Sequence, residues 1–264
     1  MAPSDTRGRV MVTGASSGIG AAFADLLAAR GHDLVLIARR EAALEARAAR
    51  LREDHGIEVE VITADLATRE GMRIAEDRLA TGDISMLINN AGIGDLRHFA
   101  EADRDSHERM IDLNVTALSR LTHAAVAAML PRAEGTIVNV ASGLSFNIVP
   151  GAAVYTGTKG FVSQFTQALA AELADSGLRF QLLVPGLTRT NLGGAEGNGL
   201  FDQFPEEMVQ SPEAVAQASL AGLALGELVC LPRLEDYSRW ESARDATRAI
   251  GVDPPHNRTA SRYA

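Results

Sequence analysis

Apolar residues in this chain come in short bursts. Stretches 9–13, 33–38, 58–63, 84–89, 135–142, 179–185 and 228–232 are rich in Val, Ile and Leu, and most are nearly unbroken. That pattern predicts strands buried on both faces rather than strands with one wet side. Between them lie alanine-rich stretches with helical composition, near 18–30, 41–55, 68–80, 103–130, 153–176 and 211–225. Ser211-Pro212-Glu213 marks one helix start, with serine at the cap, proline in the first turn and an acid behind it. Strand–helix alternation of this kind predicts a parallel sheet covered by helices on both faces and wound by right-handed crossovers. The fold expected is therefore α/β: a single doubly wound domain over 1–250 with a seven-stranded parallel sheet. Residues 234–250 can add a helix anchored by Trp240, and 251–264 read as a mobile C-terminal tail.

Three segments interrupt the rhythm: 92–102, 143–152 and 187–210. Each follows a strand, so each belongs at the carboxyl edge of the sheet, where ligands of open α/β sheets bind. The last is rich in glycine yet carries Leu192, Leu200, Phe201, Phe204 and Met208, the composition of a substrate lid. The pocket lining expected from these loops is Gly94, Leu96, His98, Leu144, Phe146, Ile148, Val149, Leu187, Leu192 and Phe204. Such a lining is apolar and suits a ketone, an aldehyde or an oxoacyl group.

Composition narrows the function classes. The 264 residues are 46% apolar, enough for one large core without covalent staples. No apolar run reaches the roughly 18–20 residues of a membrane span. The polar start of the chain has no signal-peptide core, which points to a cytoplasmic protein. The single cysteine, Cys230, excludes an internal disulfide framework and a cysteine-based zinc site, and the six histidines lack metal-ligand spacing; no metal is expected. A net charge of −9 argues against nucleic acid or an anionic membrane as partner. An anionic ligand would have to be caught locally.

One turn is built to do so. The first strand runs into Thr13-Gly14-Ala15-Ser16-Ser17-Gly18-Ile19-Gly20, and a helix follows. Glycines let the backbone turn tightly and approach a pyrophosphate, whose charge is favoured at the helix N-terminus. The second strand ends in Ala38-Arg39-Arg40, where an NAD site would place an acid for the ribose hydroxyl. Arginine suits a 2′-phosphate instead, so the cofactor predicted is NADP(H). Further along, Tyr155 and Lys159 lie four apart at a helix start and share a face, and Ser142 closes the preceding strand. An ammonium beside the phenol would lower its pKa and fit it for general acid–base work.

These residues, in this order, resemble the short-chain dehydrogenase/reductase family over roughly 8–232. The matching positions are Thr13-Gly14-x-x-x-Gly18-x-Gly20, Asp65-Leu66, Asn89-Asn90-Ala91-Gly92, Asn114, Ser142, Tyr155-x-x-x-Lys159 and Pro185-Gly186. The resemblance implies a Rossmann-type fold and a carbonyl–alcohol oxidoreductase. In it Tyr155 protonates the substrate oxygen and Ser142 hydrogen-bonds that oxygen. Lys159 lowers the tyrosine pKa and binds the nicotinamide ribose, and Asn114 holds a water that relays protons to Lys159. It also implies adenine contacts from Asp65 and Leu66 and a ribose wall from Asn90, Ala91 and Gly92. Pro185, Gly186, Thr188 and Thr190 would border the nicotinamide and phosphates. Gly14, Ser16, Ser17, Gly18, Ile19, Gly20, Arg39 and Arg40 complete the expected cofactor site. Gly157, inside the catalytic motif, departs from the usual alanine and suggests a close approach of cofactor or backbone.

Surplus apolar residues on stretches 103–130 and 153–176, together with the resemblance, imply a homodimer or homotetramer. The partner molecule is a small carbonyl or alcohol. The alternatives are a catalytically silent NADP-binding regulator and an NAD-dependent alcohol dehydrogenase.

Overall fold

The computed structural model describes residues 8–190, 192, 200–251, 259 and 261–263. They fall into two compact units, with the boundary between Pro232 and Arg233. The first unit alternates strand and helix: β1 (Arg9–Thr13), α1 (Gly18–Ala29), β2 (Leu34–Ala38), α2 (Glu41–His55), β3 (Val59–Thr63), α3 (Arg69–Leu79) and β4 (Ile84–Asn89). After β4 come α4 (Arg104–Ile111), a π-helical turn (Asp112–Ala117), α5 (Leu118–Met129), β5 (Gly135–Val140), α6 (Ala153–Glu172), β6 (Leu178–Leu183), α7 (Pro212–Leu225) and β7 (Val229–Cys230). The second unit holds α8 (Ser238–Gly251) and a short turn, Ser261–Tyr263. The expectations for the tail and for much of the lid fall on residues outside those described.

All seven strands are parallel, in the order β3-β2-β1-β4-β5-β6-β7. Side chains alternate across each strand, and the core splits accordingly. Val10, Val12, Leu34 and Leu36 face α1, α2 and α7 through Phe23, Leu27, Leu44 and Val215. Met11, Val35, Ile37 and Leu87 face α3 and α5 through Met72, Leu79, Leu121 and Met129. Ser211 caps α7 through a hydrogen bond from the Ala214 N–H, and Pro212 opens the helix as its sequence predicts.

The stretch expected as one helix over 103–130 is interrupted. Residues 112–117 form the wider π turn, a form found mostly at functional sites, and Asn114 lies in it. The strand order reverses between β1 and β4. Crossovers therefore leave in opposite directions there, opening a crevice at the carboxyl ends of the strands. Among the described residues no helix is long and apolar enough to cross a membrane, and no three or more His, Cys, Asp or Glu side chains come together as metal ligands would.

Candidate active site

A cavity of about 750 Å³ occupies that crevice. Its walls include Gly14, Ser16, Ser17, Gly18, Ile19, Arg39, Arg40, Asp65, Leu66, Asn90, Ala91, Gly92, Ser142, Tyr155, Lys159, Pro185, Gly186, Thr188 and Thr190. Of the expected site residues only Gly20 and Asn114 lie behind its surface. A Cβ on Gly20 would come within 2.6 Å of the Gly14 carbonyl oxygen, so the third glycine lets α1 close onto β1. Gly14 has a φ of +68° and abuts Ala91; Gly18 has a φ of +56° and abuts the Thr190 methyl. Both need glycine for conformation as well as for space.

The residues present fit an anionic dinucleotide. Ser17 caps α1 with extended backbone but makes no side-chain capping hydrogen bond, and the first turn contains no acid. The positive end of α1 is thus left open toward the cavity. Arg40 is tied down, donating to the Ser16 hydroxyl at 3.1 Å and to the Ser16 carbonyl at 3.2 Å. Arg39 is exposed and makes no hydrogen bond or ion pair among the described residues, a cation ready for an anion. Thr13 joins the two walls. Its hydroxyl donates to the Ile88 carbonyl and accepts from the N–H groups of Asn90 and Ala91, each at 2.9 Å.

At the other end of the cavity the groups are buried. Tyr155 is 5% exposed and Lys159 is 4% exposed. The Lys159 ammonium donates to the Val140 carbonyl at 2.9 Å and stands 5.9 Å from the centroid of the Tyr155 ring. Burial pushes the phenol above its ordinary value, and a hydrogen bond with Ser142 only partly opposes the shift. Burial pulls Lys159 down to about 8. The net shift of the phenol is therefore upward, with loss of water as its largest cause.

Asn114 is also differently employed. Its Oδ1 accepts the Ile93 N–H at 3.0 Å, and its amide nitrogen donates to the Ile93 carbonyl at 2.9 Å and to Thr158 at 3.1 Å. Both amide hydrogens are spent, so the side chain fastens the loop after β4 to α6. A Cβ on Gly92 would press on Asn114 Oδ1 at 3.2 Å and approach Lys159 Nζ at 3.5 Å, which accounts for that glycine. Gly157 is exposed with nothing within 4 Å of a built Cβ, so no close approach of the kind expected there is seen among the described residues.

Around Tyr155 the lining is apolar. Leu96, Leu144, Leu187 and Leu192 take the expected places, joined by Ile93 and Leu113. Gly94 packs against Leu192 and the Tyr155 ring. Phe146, Ile148 and Val149 are exposed instead of lining the cavity. His98 is exposed too, and its backbone carbonyl serves a turn by accepting from Glu101 and Ala102. Phe204 is likewise not among the lining residues. Sequence reasoning missed Asn147, a polar side chain in the cavity wall whose amide donates to the Gly143 carbonyl at 2.9 Å. It also missed Arg109, whose guanidinium holds Asp65 at 2.6 Å. Neither residue carries a spacing signal.

Comparison with known proteins agrees with this geometry. The family model for short chain dehydrogenases matches residues 9–199. A solved short-chain dehydrogenase from Sphingobium yanoikuyae, in complex with NADPH, is 38% identical, covers 97% of this chain and 100% of its own, and superposes with a TM-score of 0.91. A bulky-bulky ketone specific alcohol dehydrogenase from Comamonas testosteroni is 34% identical over 97% of this chain and 98% of its own, with a TM-score of 0.88. The very-long-chain 3-oxoacyl-CoA reductase of Anas platyrhynchos is 31% identical over 84% of this chain and 71% of its own. With a glycine turn at the switch point, a buried tyrosine–lysine pair beside it, and a family match over most of its length, this chain belongs to the short-chain dehydrogenase family of oxidoreductases.

Proposed function

We propose that the chain is an NADP(H)-dependent reductase of ketones and aldehydes with bulky apolar substituents, acting as a homodimer or homotetramer. One observation carries the reading. A single cavity presents an unpaired arginine and an open helix N-terminus at one end, and a neutral, buried phenol beside a lysine at the other. The NADPH-bound relative supports the cofactor, and the bulky-ketone relative supports the substrate class. The apolar wall of Ile93, Leu96, Leu144, Leu187 and Leu192 matches that class and offers no cation for a carboxylate substrate. Exposed Ile111, Leu130 and Phe161, the last stacked on Phe165, favour association with a second copy.

Arg39, the glycine turn and the N–H groups opening α1 would hold the cofactor's phosphates. Pro185, Gly186 and Lys159 would border its nicotinamide end. When bound, the cofactor supplies the hydride that reduces the carbonyl carbon. Tyr155 is kept protonated by burial, so at neutral pH its O–H is available to donate to the carbonyl oxygen. Ser142 shares that oxygen with a second hydrogen bond and stabilises the charge that grows there. Lys159, fixed by the Val140 carbonyl, faces the phenolate that remains and makes its formation less costly. Hydride on carbon and a proton on oxygen complete the alcohol.

The experiment is Tyr155→Phe. Turnover, followed by NADPH absorbance against a panel of apolar ketones and aldehydes, should fall by roughly 10²–10⁴-fold, the usual worth of a general acid. NADPH binding, read by fluorescence titration, should stay within about threefold, since the phenol O–H serves the substrate oxygen. Retained turnover would overturn the mechanism. A wild-type protein that binds NADPH yet turns over nothing in the panel would favour the silent regulator, and one that prefers NADH would favour the NAD-dependent dehydrogenase.

A further inference from the structure

Arg109 grips the cavity wall from behind. It lies in the last turn of α4, just ahead of the π turn that carries Asn114, and its Nη2 donates to Asp65 Oδ2 at 2.6 Å. The other carboxylate oxygen accepts the Ala67 N–H at 3.1 Å. The backbone of Asp65 is held as firmly. Its carbonyl accepts from the N–H of Thr68 at 3.0 Å and from the Thr68 hydroxyl at 2.8 Å. Gly71 lies so close that a Cβ there would overlap the same carbonyl.

The pair is half in water, with side-chain exposures of 38% for Arg109 and 32% for Asp65. Pairs this wet add little to stability. The use of this one lies in what the carboxylate would otherwise do. Asp65 and Arg39 line the same end of the cavity, and the positive field of Arg39 reaches Asp65. An unpartnered carboxylate there would draw Arg39 onto itself and would repel a phosphate.

We propose that Arg109 is a positioning residue that sets cofactor specificity. By occupying the Asp65 carboxylate it leaves Arg39 free for a 2′-phosphate and removes a repulsive charge from that end of the cavity. The inference rests on the NADP(H) reading above.

Binding of NADPH and of NADH, each titrated fluorimetrically into the full chain without substrate, tests it. Arg109→Gln should weaken NADPH by roughly tenfold while leaving NADH within about twofold, since only the former carries the extra charge. Arg109→Lys should keep most of the preference. The double variant Asp65→Asn/Arg109→Gln should recover it, because no carboxylate then remains to be neutralised. A purely structural role would weaken both cofactors alike and would leave the double variant no better than Arg109→Gln; either result overturns the proposal. Should Arg109→Gln fail to fold, Asp65→Asn alone decides, since loss of NADPH preference in that variant would also overturn it. A wild-type chain without preference for NADPH refutes the cofactor reading itself, and this is visible before any substitution is made.

Discussion

The two ends of the cavity use opposite electrostatic conditions. At the adenosine end Arg39 and Arg40 are exposed and Asp65 is partly so; charges there are screened by water and salt. At the catalytic end Tyr155 and Lys159 are out of water, and burial pushes both toward their neutral forms. On the function proposed above, one end would recognise by fixed charge and the other would move a proton between groups that resist ionising. The site thus separates recognition from chemistry along a gradient of solvent.

Lys159→Met should break the comparison most severely. Turnover should fall by roughly 10²–10⁴-fold because the phenolate left by proton donation loses its neighbouring charge. The fold should nevertheless gain stability. Below about pH 8 the native state must bury an ammonium that the unfolded chain solvates freely. That penalty shrinks as pH rises from about 8 toward 10.5, where only the unfolded chain still binds the proton. A methionine of similar length removes it, and a thermal melt near neutral pH should rise by about 2–4 °C. The wild-type rate of carbonyl reduction should decline as pH passes upward through about 8, a limb the variant lacks.

Arg39→Asp acts on the other end. It should weaken NADPH by roughly 10²-fold and leave NADH equal or better, since an acid repels the phosphate and accepts from a ribose hydroxyl. Turnover at saturating cofactor should change far less, and equal losses for both cofactors would contradict the division between the two ends. The smallest effect belongs to Thr68→Ala, which removes the cap accepting the Gly71 N–H at the start of α3. It should cost about 1 kcal/mol in denaturant unfolding and weaken either cofactor by no more than about threefold.

Much of this was legible in the sequence, for identifiable reasons. Solid Val/Ile/Leu bursts such as Leu34–Ala38 fixed the strands, because a doubly covered strand tolerates little else. Gly14, Gly18 and Gly20 announced the cofactor turn because the first two need a positive φ and the third has no room for a side chain. Local pattern could not show the π turn at Asp112–Ala117, whose residues read as ordinary helix and whose extra width serves distant partners. The Arg109–Asp65 contact spans 44 positions, and charge pairs at such distances leave no periodic trace. Burial was not legible: the Tyr155–Lys159 spacing is plain in the sequence, but the net direction of their shifts depends on how much water the fold removes, which spacing alone does not report.

Thr13 has a mechanical consequence. Its hydroxyl uses one donor and two acceptors to bolt the glycine turn to the segment after β4, so bond lengths set the width of the crevice at that point. The cleft behaves as a vice with one fixed jaw. A bulkier ligand has to find its room on the opposite side, where Leu144, Leu187 and Leu192 line the cavity. Efforts to widen the range of substrates therefore belong on that side, because loosening the bolt would spoil the grip on the cofactor before it made space for anything else.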